Sequence, residues 1–170
     1  MQLETLGQNL LEARDNDGWT VLHCAASNGY NSTAQLLLCE FGVYNDRDNY
    51  GWTALFWAAY NKHDATVRLL VDSGVDMDAK DITVWTVLHH AAYNRQDAII
   101  RLLIEVSVNK EVQSSDGLTA LHHSPLNGNY ATVQLLAERG FDKEANDNNG
   151  CTASHGQLTL GTHGQLTLWQ

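Results

Sequence analysis

Polar and apolar positions alternate with helical periodicity in the segment 48–80. Apolar residues three and four positions apart, from Leu55 to Ala59, predict a first short helix. A second apolar stripe, from Val67 to Val71, predicts a second helix on the same chain segment. Because only one side of each helix is apolar, the two are expected to pack against each other and against further helices.

Small polar residues and glycines predict where these two helices begin and end. Thr53 is the expected N-cap of the first helix, with its hydroxyl accepting from amides of the first turn. Asn61 is expected to end that helix in the left-handed conformation. Asp64 can start the second helix, and Gly74 is expected to close it with a left-handed cap. The asparagine position recurs at Asn28, Asn94 and Asn127.

One threonine recurs along the chain at a constant interval of 33 residues. The positions are Thr20, Thr53, Thr86, Thr119 and Thr152. A fixed period of this length predicts a solenoid of stacked units in a single domain, 1–170. The predicted units are a partial one at 1–14, four complete repeats at 15–47, 48–80, 81–113 and 114–146, and a degenerate fifth unit with an octamer-repeat tail at 147–170. Residues 3–11 are expected to form a covering helix, and for 156–170 a hairpin and a disordered tail both stay open.

The residues that follow each threonine repeat as well. The four copies read Thr-Val-Leu-His-Cys-Ala, Thr-Ala-Leu-Phe-Trp-Ala, Thr-Val-Leu-His-His-Ala and Thr-Ala-Leu-His-His-Ser. This pattern resembles the ankyrin repeat, with its Thr-Pro-Leu-His-x-Ala hallmark, and is similar to units of long fungal ankyrin arrays. The resemblance implies an all-α solenoid in which each unit is a β-turn and two antiparallel helices. It also implies a structural motif whose histidine hydrogen-bonds within its turn and to the next unit: Thr20, His23, Thr53, Thr86, His89, Thr119 and His122.

Several positions depart from the repeat and predict local irregularities. Pro125 stands inside the first helix of the fourth unit, where it removes an amide donor and predicts a kink or an early end. Val84 replaces the turn glycine of the third unit, and Ser107 replaces the glycine that closes its second helix. Phe41 stands at that closing position in the first unit. We expect backbone strain or rearrangement at these sites.

Charge and composition narrow the class of partner and the compartment. The net charge of −10 and the scattered cations predict that the chain does not bind nucleic acid. Neither a membrane span nor a secretory signal is predicted, so we expect no membrane association and a monomer in the cytoplasm or nucleus. The cysteines Cys24, Cys39 and Cys151 have no paired spacing and are expected to be packed, reduced thiols.

Aromatic residues recur at positions that the helical core does not need. In the family that the chain resembles, these positions face the concave side and contact partners. The predicted contact residues are Trp19, Trp52, Trp57, Tyr60, Trp85, His90, Tyr93 and His123. An acidic border is predicted from Asp17, Asp48, Asp81 and Asp116 in the neighbouring turns. Such a surface suits an unidentified protein or peptide with apolar anchors and basic neighbours.

Two other functions stay open from the sequence alone. The chain could be a spacer or capping segment of a longer array, with no partner of its own. It could also bind a metal through the column of His90, His123 and Cys24, although Trp57 interrupts that column and no Cys-x-x-Cys pair is present. We expect no cofactor. No catalytic motif is found, so we do not predict an enzyme.

Overall fold

The computed structural model describes residues 13–41, 45–126 and 130–153, and these residues form eight helices. Short first helices alternate with longer second helices along the chain. They are α1 (Val21–Ser27), α2 (Asn31–Phe41), α3 (Ala54–Tyr60), α4 (Asp64–Asp72), α5 (Val87–Tyr93), α6 (Asp97–Glu105), α7 (Ala120–Leu126) and α8 (Tyr130–Glu138). The bounds of α3 and α4 agree with those predicted from the polar residues around the two apolar stripes.

The helices stack in two layers. The first helices form one layer, in which α3 contacts both α1 and α5, and α5 contacts α7. The second helices form the other layer, in which α4 contacts both α2 and α6. Ala58, Ala59, Ala91 and Ala92 are at most 1% exposed, and their small side chains let neighbouring first helices approach closely. The predicted all-α solenoid is confirmed.

Large aliphatic side chains fill the space between the two layers. Val67, Leu70, Ile100 and Leu103 are fully buried, and they belong to one continuous apolar cluster that runs from unit to unit. Burying each such side chain stabilises the fold by about 1.5 to 3 kcal/mol. Since each unit covers the apolar side of its neighbour, stability resides in the interfaces between units.

The turns that precede the first helices are joined by backbone hydrogen bonds. Ile82 N donates to Tyr50 O at 3.1 Å, and Asn49 N donates to Asp17 O at 3.0 Å. Asn148 N donates to Asp116 O at 3.0 Å in the same way. These bonds set the register of successive turns, so side chains at equivalent positions lie side by side along the solenoid.

The left-handed residues at the helix ends are partly those predicted. Gly74 closes α4 with φ +82°, as expected. The prediction for the asparagines is wrong, because Asn28 and Asn61 have φ of −99° and −85°. The left-handed residue comes one position later, for example at Lys62 with φ +62°. The side chain of Asn28 instead caps its helix by donating from Nδ2 to Cys24 O at 2.8 Å, whereas Asn61 Nδ2 donates to Ser27 O of the preceding unit at 3.0 Å.

Thr53 is the N-cap residue of α3 as predicted, but the prediction that its hydroxyl accepts from the first turn is wrong. Its backbone is extended as a cap requires, but its hydroxyl makes no capping hydrogen bond and is buried without a partner. In the first and third units the equivalent hydroxyl contacts the motif histidine, whereas the second unit has Phe56 at that place. The hydroxyl of Thr53 therefore has no ring nitrogen to contact, because the side chain at the histidine position of its unit is a phenylalanine.

The irregular positions behave differently from one another. Val84 and Ser107 have φ of +66° and +63°, which confirms the predicted strain at these two sites. The predicted early end at Pro125 is wrong, because α7 is seven residues long, as are the other first helices. Pro125 lies in the last turn of that helix. The predictions for residues 3–11, Asn127 and 156–170 lie outside the described residues.

Candidate functional site

The first residue of each unit organises the turn that carries the predicted contact residues. Asp48 Oδ1 accepts from Tyr50 N and Trp52 N, both at 2.9 Å. Asp81 Oδ1 accepts from Thr83 N at 2.8 Å and from Trp85 N at 2.9 Å. Each carboxylate replaces a missing backbone acceptor inside the turn and so holds the tryptophan in position.

These two carboxylates are buried, which corrects the predicted acidic border. Asp48 is 6% exposed and Asp81 is 8% exposed, whereas Asp17 and Asp116 are exposed. Burial alone would raise the pKa of Asp81, but hydrogen bonds from Thr83, His90 and Trp85 outweigh it and lower that pKa. Asp81 is therefore a buried anion that orders the turn, and of the four acids only Asp17 and Asp116 present carboxylates at the surface.

The second oxygen of each buried carboxylate holds an aromatic ring of the first helix. Trp57 Nε1 donates to Asp48 Oδ2 at 2.8 Å, and His90 Nε2 lies 2.8 Å from Asp81 Oδ2. Trp52 Nε1 also reaches Asp81 Oδ2, at 3.3 Å, from the preceding unit. Burial lowers the pKa of His90 despite the nearby Asp81, so His90 is neutral at pH 7 and donates through Nε2–H.

The rings form a continuous row along the first three units. Their centroids lie 4.5 Å apart for Trp19 and Trp57, and 4.8 Å apart for Trp57 and Trp52. The row continues from Trp52 to His90 and from His90 to Trp85, both at 5.0 Å. The planes are tilted or edge-on, the arrangements that aromatic pairs prefer. Each of the three inner members, Trp57, Trp52 and His90, therefore packs against a ring of the row on either side.

A groove of about 880 Å³ lies against the middle of this row, along the second and third units, and reaches the turn of the fourth. It is lined by Tyr50, Trp52, Trp57, Tyr60, Asp81, Ile82, Thr83, Trp85, His90, Ser115 and Asp116. Five of the eight predicted contact residues therefore meet at one groove. We call it the aromatic groove.

Sequence reasoning missed the turn-tip residues of the aromatic groove. Tyr50 is 52% exposed and Ile82 is 71% exposed, and both stand where other units carry small polar residues or acids. An apolar side chain at a turn tip was the signal that could have identified them. Trp19 and Tyr93 do not line the groove but flank it, since Trp19 packs on Trp57 and Tyr93 lies 5.6 Å from Trp85.

His123 is wrongly placed among the predicted contact residues, because its side chain is buried, with only 2% exposed. Its ring centroid lies 4.1 Å from that of Trp85. Neither of its ring nitrogens has a hydrogen-bond partner. His123 lacks a partner because Ser114 stands nine residues before it. In the third unit the equivalent position is Asp81, the acid that His90 contacts. Burial, followed by the nearby His89, lowers the pKa of His123 to about 3.

The Ser114→Asp variant is expected to be about 1 to 2 kcal/mol more stable at pH 7 than the unmodified chain. The new carboxylate would pair with His123 in the fourth unit as Asp81 pairs with His90 in the third. It therefore supplies a hydrogen-bond partner for a buried ring nitrogen of His123. Urea unfolding measures the difference. Ser115→Asp adds the same charge at an exposed neighbouring position. Equal changes in the two variants would show that charge, rather than pairing, is responsible.

The motif histidines make both contacts that the resemblance implied. His23 Nδ1 accepts from Thr20 N at 3.0 Å, and His23 Nε2 lies 3.1 Å from Trp52 O in the next unit. His89 repeats this geometry with Thr86 and Leu118, and His122 with Thr119 and Cys151. Since Nδ1 accepts, the proton is on Nε2, and each ring is a neutral bridge between units.

The metal-site alternative finds no ligand cluster within the part of the chain that the structure describes. There, no three His, Cys, Asp or Glu side chains come together as possible ligands. The cysteines are free but exposed, so the prediction that they are packed is wrong. Cys24 stands on the outward side of α1, at the position where Trp57 and His90 stand in the following units.

Comparison with known proteins identifies the family of the solenoid. A family model for ankyrin repeats, built from three copies, matches residues 3–81 and 80–147. The chain belongs to the ankyrin-repeat family. Ankyrin repeats are generally protein–protein interaction modules that bind protein partners, and the family is typically non-enzymatic. No curated protein is significantly similar to the chain. No helix within the described ranges is long and apolar enough to cross a membrane.

Proposed function

We propose that this ankyrin-repeat chain binds an extended segment of a partner protein in the aromatic groove. The partner segment carries apolar anchors and basic neighbours. The observation that carries the proposal is the groove itself, a half-buried row of indole rings held from beneath by two buried carboxylates. Trp52, Trp57 and Trp85 provide the contact area, with Tyr60 and His90 beside them.

Rigid aromatic side chains support this role energetically. Tryptophan and tyrosine dominate the hot spots of protein interfaces because they bury a large area for few rotatable bonds. Here the indole N–H groups of Trp52 and Trp57 are already bonded to Asp81 and Asp48, so their rotamers are set before a partner arrives. Binding then loses little side-chain entropy.

Charge supports a basic partner rather than a nucleic acid. The chain has a net charge of −10. No Lys or Arg is found among the groove-lining residues of the described part of the chain, and Asp116 is exposed at its rim. Such a field attracts basic segments and repels phosphate backbones.

We further propose the unit organisation and the state in which the chain acts. The four complete repeats are 15–47, 48–80, 81–113 and 114–146 within one domain. The chain acts as a monomer and without catalysis. The groove takes a partner segment that extends along neighbouring turns. Trp19 and Tyr93, which flank the groove, extend the contact surface toward the first helices of their own units.

The Trp85→Leu variant is expected to weaken partner binding by about tenfold or more while it leaves the fold intact. Leucine is chosen because Leu118 occupies the same position in the fourth unit. Loss of one aromatic anchor at an interface costs at least about 1.4 kcal/mol, which is tenfold in affinity. The measurement is affinity capture of the partner, followed by calorimetry of the purified pair.

Trp19→Leu is the matched control, because Trp19 has the same repeat position but lies outside the aromatic groove. Binding should weaken clearly less in this variant than in Trp85→Leu, because Trp19 only extends the contact surface beside the groove. If both variants lower the melting temperature and neither changes partner capture, the tryptophans only stiffen the stack. The spacer function would then replace the binding function.

A further inference from the structure

The buried carboxylate of the aromatic groove has no capacity left for a partner. Asp81 Oδ1 accepts from Thr83 N, Thr83 Oγ1 and Trp85 N at 2.7 to 2.9 Å. Asp81 Oδ2 contacts Trp52 Nε1 and His90 Nε2. Five donors exceed the roughly four lone-pair sites of a carboxylate. Asp81 therefore influences a bound group only through its charge.

Asp116 is the remaining carboxylate of the aromatic groove and is exposed. It sits in the turn of the fourth unit, whose backbone register is held by the bond from Asn148 N to Asp116 O. The groove therefore combines aromatic walls, a negative charge buried beneath them and one accessible carboxylate at the rim. This combination is complementary to a cation that is flat, weakly hydrated and able to donate along one edge.

Arginine meets these requirements better than lysine. A guanidinium is planar, stacks on aromatic faces and is less strongly hydrated than an ammonium ion. Its edge N–H groups form a fork that fits a carboxylate. A lysine ammonium would lose a more tightly bound water shell. Asp81 could not replace that water, because its oxygens already accept five hydrogen bonds. The groove thus distinguishes between the two common cationic side chains by their hydration and shape.

We propose that the aromatic groove binds an arginine side chain of the partner segment, with the guanidinium against Trp52 and Trp85 and its edge toward Asp116. This proposal rests on the proposed function and names the residue that the partner inserts. The cation gains from the indole rings, from the charge of Asp81 and from the carboxylate at the rim. A neutral side chain of the same shape gains only from contact area.

The test uses the full chain and a pentapeptide probe, acetyl-Leu-Ala-X-Ala-Leu-amide, with tryptophan fluorescence as the readout. X is arginine, lysine, norleucine or citrulline, the neutral planar analogue of arginine. We expect the arginine peptide to bind about tenfold tighter than the citrulline peptide, which corresponds to a partly desolvated cation–π contact and a charged hydrogen bond. The lysine peptide should bind between the two, and added salt should weaken the binding of the two charged peptides but not that of the citrulline and norleucine peptides.

Two variants of equal charge test the role of the rim. Asp116→Asn should reduce arginine binding by about threefold to tenfold and leave citrulline binding unchanged. Asp17→Asn is the control, because Asp17 is exposed at the same repeat position but does not line the groove. It should alter neither peptide.

The outcomes separate this inference from the proposed function. If arginine and citrulline bind equally, or if no probe binds, the arginine proposal is overturned. The proposed function still stands in either case, provided that capture of the protein partner depends on Trp85. If capture does not depend on Trp85, both fail together.

Discussion

The Leu102→Ala variant is expected to lose about 2 to 5 kcal/mol of unfolding free energy, because truncation of a buried leucine removes apolar contacts and leaves a cavity. Leu102 is 5% exposed and belongs to the apolar cluster between the helix layers. It lies in α6, in the third unit, with further units on both sides. The cavity therefore weakens the packing of a unit on which its neighbours depend. Urea unfolding followed by circular dichroism measures the loss.

Leu36→Ala is the matched control for this prediction. Leu36 occupies the same repeat position two periods earlier, yet it is 58% exposed. The same truncation there should cost less than about 1 kcal/mol, since little buried area is removed. Similar losses in the two variants would contradict a burial pattern in which equivalent leucines differ between units.

The repeat architecture could be predicted from the sequence because its determinants are local. Thr20 and His23 are three residues apart, and their ring contact is set within one turn and the start of one helix. Gly74 closes α4 through its own backbone preference. Where such short-range signals recur with one period, the packing of unit on unit follows from the apolar stripes alone.

The burial of individual side chains could not be predicted in the same way, since it depends on residues in other positions. His90 and His123 share a repeat position and were assigned the same exposed role. His90 lines the groove and donates a hydrogen bond to Asp81, whereas His123 is buried and unpaired because Ser114 stands in its unit. A periodic pattern identifies equivalent positions, but the partner at each position decides what the side chain does.

The proposed binding site and the stability of the fold share a residue. Asp81 closes its own turn, orients Trp52 from the unit before it and contacts His90. Loss of this carboxylate would leave two ring donors and two backbone amides without an acceptor in a buried place. Its effect on binding therefore could not be separated from its effect on folding, which is why Trp85 and Asp116 are the informative positions.

Acidification from pH 7 to pH 5 is expected to lower the unfolding free energy by up to about 2 kcal/mol for each of two buried histidines. Burial, as the largest cause, lowers the pKa of His89 to about 4 and that of His123 to about 3. In the unfolded chain both protonate near pH 6.5. Between pH 6.5 and 4 the unfolded state thus binds more protons, so stability falls as the pH falls. His23 and His90, whose pKa values are also lowered by burial, act in the same direction.

The buried carboxylate of Asp81 does not account for a loss in this window. The pKa of Asp81 is lowered from 3.8, so its stabilising contribution is present above that value and is lost only at more acidic pH. His123→Leu tests the assignment, because it removes one titrating ring and two unpaired buried nitrogens. The pH dependence of its unfolding free energy should be shallower by up to about 1.4 kcal/mol per pH unit between pH 4 and 6. Urea unfolding at several pH values measures both slopes, and parallel curves for the two proteins would mean that His123 is protonated as readily in the folded chain as in the unfolded one.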